Sequence, residues 1–151
     1  MASSGTGRGS SDLTPTFAYA VVYAKDVAKS VEFYARAFGY TVRRLDDSRK
    51  WGEIESGGTT IAFTPAHQHE TDDLTGEVKA PKSGAWERSP LELCFAYKDV
   101  DAAYKRAVEN GAVGIKAPEE KIWGQKVGYV RDIDGIVVRL GSHVSEPPPR
   151  H

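Results

Sequence analysis

Ala24-Lys25-Asp26-Val27, followed at helical spacing by Val31, Tyr34 and Phe38 and closed by Gly39, is the stretch that decides the fold, because the chain repeats it. The second copy begins at Lys98-Asp99-Val100, continues through Ala103, Tyr104, Ala107 and Val108, and ends at Gly111. In each copy an Asp is placed to cap a helix N-terminus and the apolar residues form one stripe. A Gly is placed to take the left-handed position after the last turn. Strand-like runs flank each helix: Phe17 to Ala24 and Leu91 to Tyr97 before, and three short runs after. Each half therefore reads β-α-β-β-β. Gly57-Gly58 suits a two-residue hairpin turn between Trp51–Ser56 and Thr59–Thr64. Asp132-Ile133-Asp134-Gly135 joins Lys126–Arg131 to Ile136–Gly141 in the second half. The expected fold class is α+β, with two tandem βαβββ modules forming a curled eight-stranded sheet around a central cleft.

The expected modules are residues 16–65 and 89–142, within one domain spanning 16–142, and a polar linker over 66–88 separates them. Residues 1–15 form a Ser/Gly-rich leader that is expected to be disordered, and 143–151 form a Pro-containing C-terminal tail. With 151 residues, 40% of them hydrophobic, the chain is long enough to bury about two-thirds of its unfolded surface. A core without metal or disulfide support is therefore attainable. Twenty Lys and Arg against twenty-one Asp and Glu leave a formal charge of −1 without a basic tract, which argues against nucleic acid as a partner. No apolar run approaches the roughly 20 residues of a membrane span, and no membrane association is expected. Cys94 is the one cysteine, which excludes an intrachain disulfide and fits a reducing, cytoplasmic compartment.

The order of these elements resembles the vicinal oxygen chelate superfamily, which includes glyoxalase I, bleomycin-resistance proteins and ring-cleaving dioxygenases. In the first copy Ala24 to Val27, Phe33-Tyr34 and Phe38-Gly39 carry the likeness. In the second it rests on Tyr97 to Ala103, Asn110-Gly111, Trp123-Gly124, Arg131 to Gly135 and Val138-Arg139-Leu140. The resemblance implies a site in the cleft of the eight strands. Metal-using members bring His and Glu ligands from four strand positions, which fall here on Tyr19, Ala62, Glu92 and Arg139. Of these only Glu92 keeps the family's type of ligand, so the resemblance predicts no metal and no cofactor. The chain is also similar to the metal-free branch of plant glyoxalase-like proteins, which implies proton-transfer chemistry in specialised metabolism.

Strand alternation assigns the remaining cavity residues. Phe17, Tyr19, Val21 and Tyr23 share one face, and across the Gly57-Gly58 turn Glu53 stands opposite Ala62, with Trp51 on the same side. In the second half Glu92, Cys94, Ala96, Lys126, Gly128, Val137 and Arg139 are assigned inward. Trp86 and Trp123 are candidate lid residues. The expected catalytic set is Glu92, Arg139, Glu53, Tyr19 and Lys126: an apolar wall raises a carboxylate's pKa so that it serves as a base, and a cation holds the developing enolate. Tyr23, Trp51, Ala62, Cys94, Trp86, Trp123 and Val137 complete the ligand wall. The alternative is a binding module similar to bleomycin-resistance proteins, holding a cationic or aromatic ligand without reacting it. A small molecule is the expected partner in either case, with the chain a monomer or a homodimer. His67-Gln68-His69 has the look of a metal pair but lies in the polar linker, where solvated side chains are expected.

Overall fold

In the computed structural model, which describes residues 13–79 and 87–143, both modules form as the repeat requires. The first runs β1 (Ala20–Ala24), α1 (Val27–Phe33), β2 (Thr41–Leu45), β3 (Gly52–Ser56) and β4 (Thr59–Pro65). The second runs β5 (Leu93–Ala96), α3 (Val100–Glu109), β6 (Val113–Glu120), β7 (Lys126–Arg131) and β8 (Val137–Gly141). A helix in the linker, α2 (His69–Thr75), lies between them where a plain polar connection is expected. Each module builds a four-stranded sheet, in the orders β1-β4-β3-β2 and β5-β8-β7-β6. The eight strands thus form two sheets with the same crossover topology, and β1 and β5 are not hydrogen-bonded to each other.

The capping residues act as their types dictate. Asp26 accepts from the Lys29 N–H at 3.1 Å and Asp99 from the Ala102 N–H at 3.0 Å. Gly39 and Gly111 stand at φ 86° and 110°, angles that a side chain disfavours. After Phe33 the first helix widens into a π-helical turn, Tyr34–Phe38, and Phe33, Tyr34, Ala37 and Phe38 are all buried along it. Tyr34 packs edge-on to Phe63 at 5.0 Å and Phe38 to Phe95 at 5.3 Å, so aromatic rings from both modules share one core. Each such burial stabilises by about 1.5–3 kcal/mol.

A polar clasp reinforces this joint. Tyr34 Oη donates to Asp132 Oδ2 at 2.6 Å, Ser30 Oγ to Asp134 Oδ2 at 3.0 Å, and the Lys25 N–H to Asp134 Oδ1 at 3.1 Å. Asp132 also accepts the backbone N–H groups of Asp134 and Ile136, both at 2.8 Å. Burial pushes the Asp132 carboxyl above the usual carboxylate range, although its hydrogen bonds pull the other way. The same burial, with the Asp132 charge beside it, pushes the Tyr34 hydroxyl well up.

The second hairpin departs from the expected register. Its loop takes five residues, closed by the Asp132 N–H to the Ile136 carbonyl at 2.9 Å, so Arg131 pairs with Val137 and Tyr129 with Arg139. Because side chains alternate at period two, Tyr129 and not Gly128 shares the face of Arg139. Lys126 goes to the opposite face, where its ammonium pairs with Asp101 on α3. Lys126 is therefore a tie between sheet and helix and not a member of the inward set.

Candidate functional site

The exposed face of the second sheet carries a compact polar group. Cys94 on β5, Arg139 on β8 and Tyr129 on β7 lie side by side across three strands. Glu92, two residues before Cys94, projects from the same side as the alternation requires. Arg139 Nη2 donates to Glu92 Oε2 at 2.8 Å, and the guanidinium lies 5.4 Å from the centre of the Tyr129 ring. The two side chains are 35% and 21% exposed, so the pair is neither sealed in the core nor freely solvated. Arg88 Nη1 stands 3.8 Å from Glu92 Oε1, too far to saturate it. A pocket of about 280 Å³ opens here, lined by Arg88, Glu92, Ile115, Tyr129, Arg131 and Val137.

The two arginines on this face differ in how far their donors are used. Arg139 Nε is buried with no hydrogen-bond partner among the described residues, which leaves a strong donor unsatisfied. Arg131, by contrast, is consumed structurally: its Nη1 donates to the Gly135 carbonyl at 2.6 Å and its Nη2 to the Glu87 carbonyl at 2.8 Å. Cys94 lies 3.7 Å from Glu92 Oε2. Partial burial pushes the thiol pKa up, an effect that Arg139 only partly offsets.

The first sheet presents a different arrangement. Glu53 pairs across the strands with Ala62, as the Gly57-Gly58 turn implies. Trp51 Nε1 donates to Glu53 Oε2 at 2.6 Å and Arg43 Nε to Glu53 Oε1 at 2.8 Å. Both carboxylate oxygens are thus occupied. The indole donor above all, and then Arg43, holds the Glu53 carboxyl below its usual range. The expectation of a base with a raised pKa is overturned at this position, because hydrogen bonds to the charged form outweigh desolvation. Tyr19 stacks edge-on to Trp51 at 6.0 Å. Ala62 is fully buried and offers no surface to a ligand.

Tyr23 lines a separate apolar pocket of about 190 Å³ in the seam between the modules, with Val21, Pro90, Leu91, Leu93 and Ile136. Trp123 is 62% exposed in the β6–β7 turn, where its indole N–H is held by Gln125 at 2.9 Å. Trp86 lies outside the described residues. The expected single set is therefore two sets, and among the described residues no hydrogen bond, ion pair or ring contact joins Tyr19, Trp51 or Glu53 to Glu92 or Arg139. Sequence reasoning missed Tyr129, Arg88 and Arg43. Tyr129 was recoverable from a five-residue loop at Asp132–Ile136, since Gly135 at φ 86° provides the left-handed step that such a loop needs.

The residues at the four positions that the resemblance assigns to metal ligands do not fit a divalent ion. Ala62 has no side-chain donor atom, Arg139 is a cation already bonded to Glu92, and Tyr19 lies just ahead of β1 in the other module. A divalent ion requires three or four converging anionic or neutral donors.

The fold is shared with known proteins. An uncharacterized protein of Mycobacterium bovis is 28% identical over 129 residues, covering 80% of this chain and 79% of its own length. Among solved structures, the hypothetical protein SA1046 from S. aureus superposes with a TM-score of 0.70 at 16% identity, over 86% of this chain and 95% of that one. A glyoxalase-related enzyme from Fulvimarina pelagi does so with a TM-score of 0.69 at 18% identity, over 85% and 88%. The family model for the Glyoxalase/Bleomycin resistance protein/Dioxygenase superfamily matches residues 16–140, and the chain belongs to that superfamily.

Proposed function

We propose that the protein is a metal-independent, glyoxalase-like enzyme that moves a proton on a small, largely apolar carbonyl compound, with Glu92 and Arg139 as its working pair. The observation that carries this reading is the ion pair itself, a carboxylate and a guanidinium 2.8 Å apart, at two positions that the resemblance to the superfamily assigns to metal ligands. Glu92 takes the proton from the carbon next to the carbonyl through Oε1, the oxygen that Arg139 does not hold. Arg139 donates to the oxygen on which enolate charge develops, the task that a Lewis acid performs elsewhere. Return of the proton to a different atom gives isomerisation, and loss of a neighbouring hydroxyl as water gives dehydration. Tyr129 and Val137 supply the apolar wall, and no cofactor enters. A cytoplasmic location and a small-molecule partner, in a monomer or a homodimer, accord with this chemistry, as does a place in the family's metal-free branch.

A second reading has its own observation. Glu53 is held ionised beside Trp51 and Tyr19, which suits retention of a cationic or aromatic ligand without reaction. Incubation with a panel of hydroxyketones in deuterated water separates the two. Incorporation of deuterium next to the carbonyl is the expected result, and saturable binding without exchange would favour the second reading.

A further inference from the structure

The segment between the modules holds a second convergence of ligating side chains. His67 precedes α2, Asp72 lies within it and Glu77 follows the turn that ends it, and one ligand atom from each lies within 4.8 Å of the other two. The backbone fixes this spacing. The Asp72 N–H donates to the Gln68 carbonyl at 2.8 Å and the Gly76 N–H to the Asp72 carbonyl at 2.9 Å. Gly76, at φ 91°, turns the chain so that Glu77 comes back toward the helix. The side chain of Gln68 also bonds Thr64 at the end of β4, anchoring the start of the segment to the first sheet.

The electrostatics of the cluster are incomplete. Among the described residues no lysine or arginine pairs with Asp72 or Glu77, and the nearest partner of Asp72 is the His67 ring at 3.8 Å. Two carboxylates brought together without a cation repel each other, and a divalent ion converts that repulsion into attraction. Donors around such an ion sit about 3–3.5 Å apart at metal–ligand distances near 2.1 Å, which small rotamer changes achieve from the observed spacing. One imidazole and two carboxylates suit Mn2+, Co2+, Ni2+ or Zn2+ better than soft or purely oxygen-seeking ions.

We propose that His67, Asp72 and Glu77 bind one divalent transition-metal ion, which staples the two ends of α2. The chain continues directly into Val78 and Lys79, which line the seam pocket with Tyr23 and Leu93, so the ion fixes one wall of that pocket. This site is independent of the Glu92–Arg139 pair and takes no part in the chemistry proposed for it.

The test is calorimetric titration of the full chain, freed of metal by chelator and dialysed, with Zn2+ and separately with Co2+. His67→Ala and the double variant Asp72→Asn with Glu77→Gln are titrated alongside, and a melting curve of each in chelator verifies that it folds. The expected result is one equivalent bound with micromolar affinity, a higher Tm in the presence of the ion, and affinity weakened about tenfold or more in both variants. Absence of saturable binding overturns the proposal. So does binding that either variant leaves within a few-fold of the parent, which would place the ion on His69, His143 or His151, and so does binding lost in the Glu92→Leu with Arg139→Met variant but kept in His67→Ala.

Discussion

The two sheet faces carry the same elements, a carboxylate, an arginine and an aromatic ring, and use them oppositely. On the first sheet Glu53 receives a hydrogen bond on each oxygen, from Trp51 and Arg43, and is locked as an anion. On the second, among the described residues, Arg139 holds one oxygen of Glu92, the other oxygen has no donor nearer than Arg88 Nη1 at 3.8 Å, and the buried Arg139 Nε lacks an acceptor. A satisfied group stabilises its own geometry, whereas a partly satisfied one has hydrogen-bonding capacity left for a substrate. The proposed function accordingly puts the reaction on the second sheet and leaves the first to hold ligand or brace the fold.

The largest effect should come from Glu92. Replacing it with Gln removes the proton acceptor while keeping size and hydrogen bonding, and should lower deuterium exchange on a responsive hydroxyketone by about a hundredfold or more. The stability cost is expected near 1–2 kcal/mol, because the pair is only partly buried. Exchange within a few-fold of the parent would transfer the chemistry to another group and erase the contrast between the faces.

A perturbation of the joint between the modules should be large in stability and small in function. Tyr34→Phe strips one donor from the buried Asp132 and should lower stability by about 2 kcal/mol in a urea titration, with exchange activity retained. The folded pKa of Asp132 is raised, so the stability linked to its protonated form is fully present below about pH 4 and is lost as pH rises through the folded value. Asp132→Asn should accordingly gain on the parent as pH increases from 4 toward neutrality. A stability difference that is flat with pH would contradict the burial assigned to this carboxyl.

Smaller effects probe the faces themselves. Tyr129→Leu removes the ring beneath Arg139 and should cost about 0.5–1 kcal/mol, with a weaker hold on the substrate and no change in fold. Glu53→Gln should change exchange by less than about threefold, in contrast to the hundredfold expected of a general base. Its signature is in acid: the folded pKa of Glu53 is lowered, so its stabilisation is present above the unfolded carboxyl pKa and disappears as pH falls through the folded one. The variant should therefore show a shallower loss of stability on acidification.

The repeat made the architecture legible from sequence, because caps, apolar stripes and the Gly57-Gly58 turn are local signals that the tertiary structure had no reason to override. The first-sheet register followed from the turn alone. The site was harder to read. A fifth residue in the second hairpin loop moved Lys126 onto the helix side and brought Tyr129 beside Arg139, and period-two alternation turns a slip of one residue into a change of face. The state of Glu53 depends first on the Trp51 indole and then on Arg43, which reaches it from a bulged part of β2 that sequence pattern does not report. Asp132 and Asp134, quoted as family marks, proved to be the clasp on α1, a role set by contacts about a hundred residues apart in the chain.

The proposed function stands on the Glu92–Arg139 pair as working groups and not as a filled-in metal site. The direct measurement is solvent deuterium exchange on a responsive hydroxyketone by the parent and by Glu92→Leu with Arg139→Met, together with a melting curve of each. Replacing both members leaves no unpaired charge, so the double variant should melt within about 1 kcal/mol of the parent or above it and should have lost exchange. A double variant that melts normally and exchanges deuterium at the parental rate would contradict the role proposed for the pair.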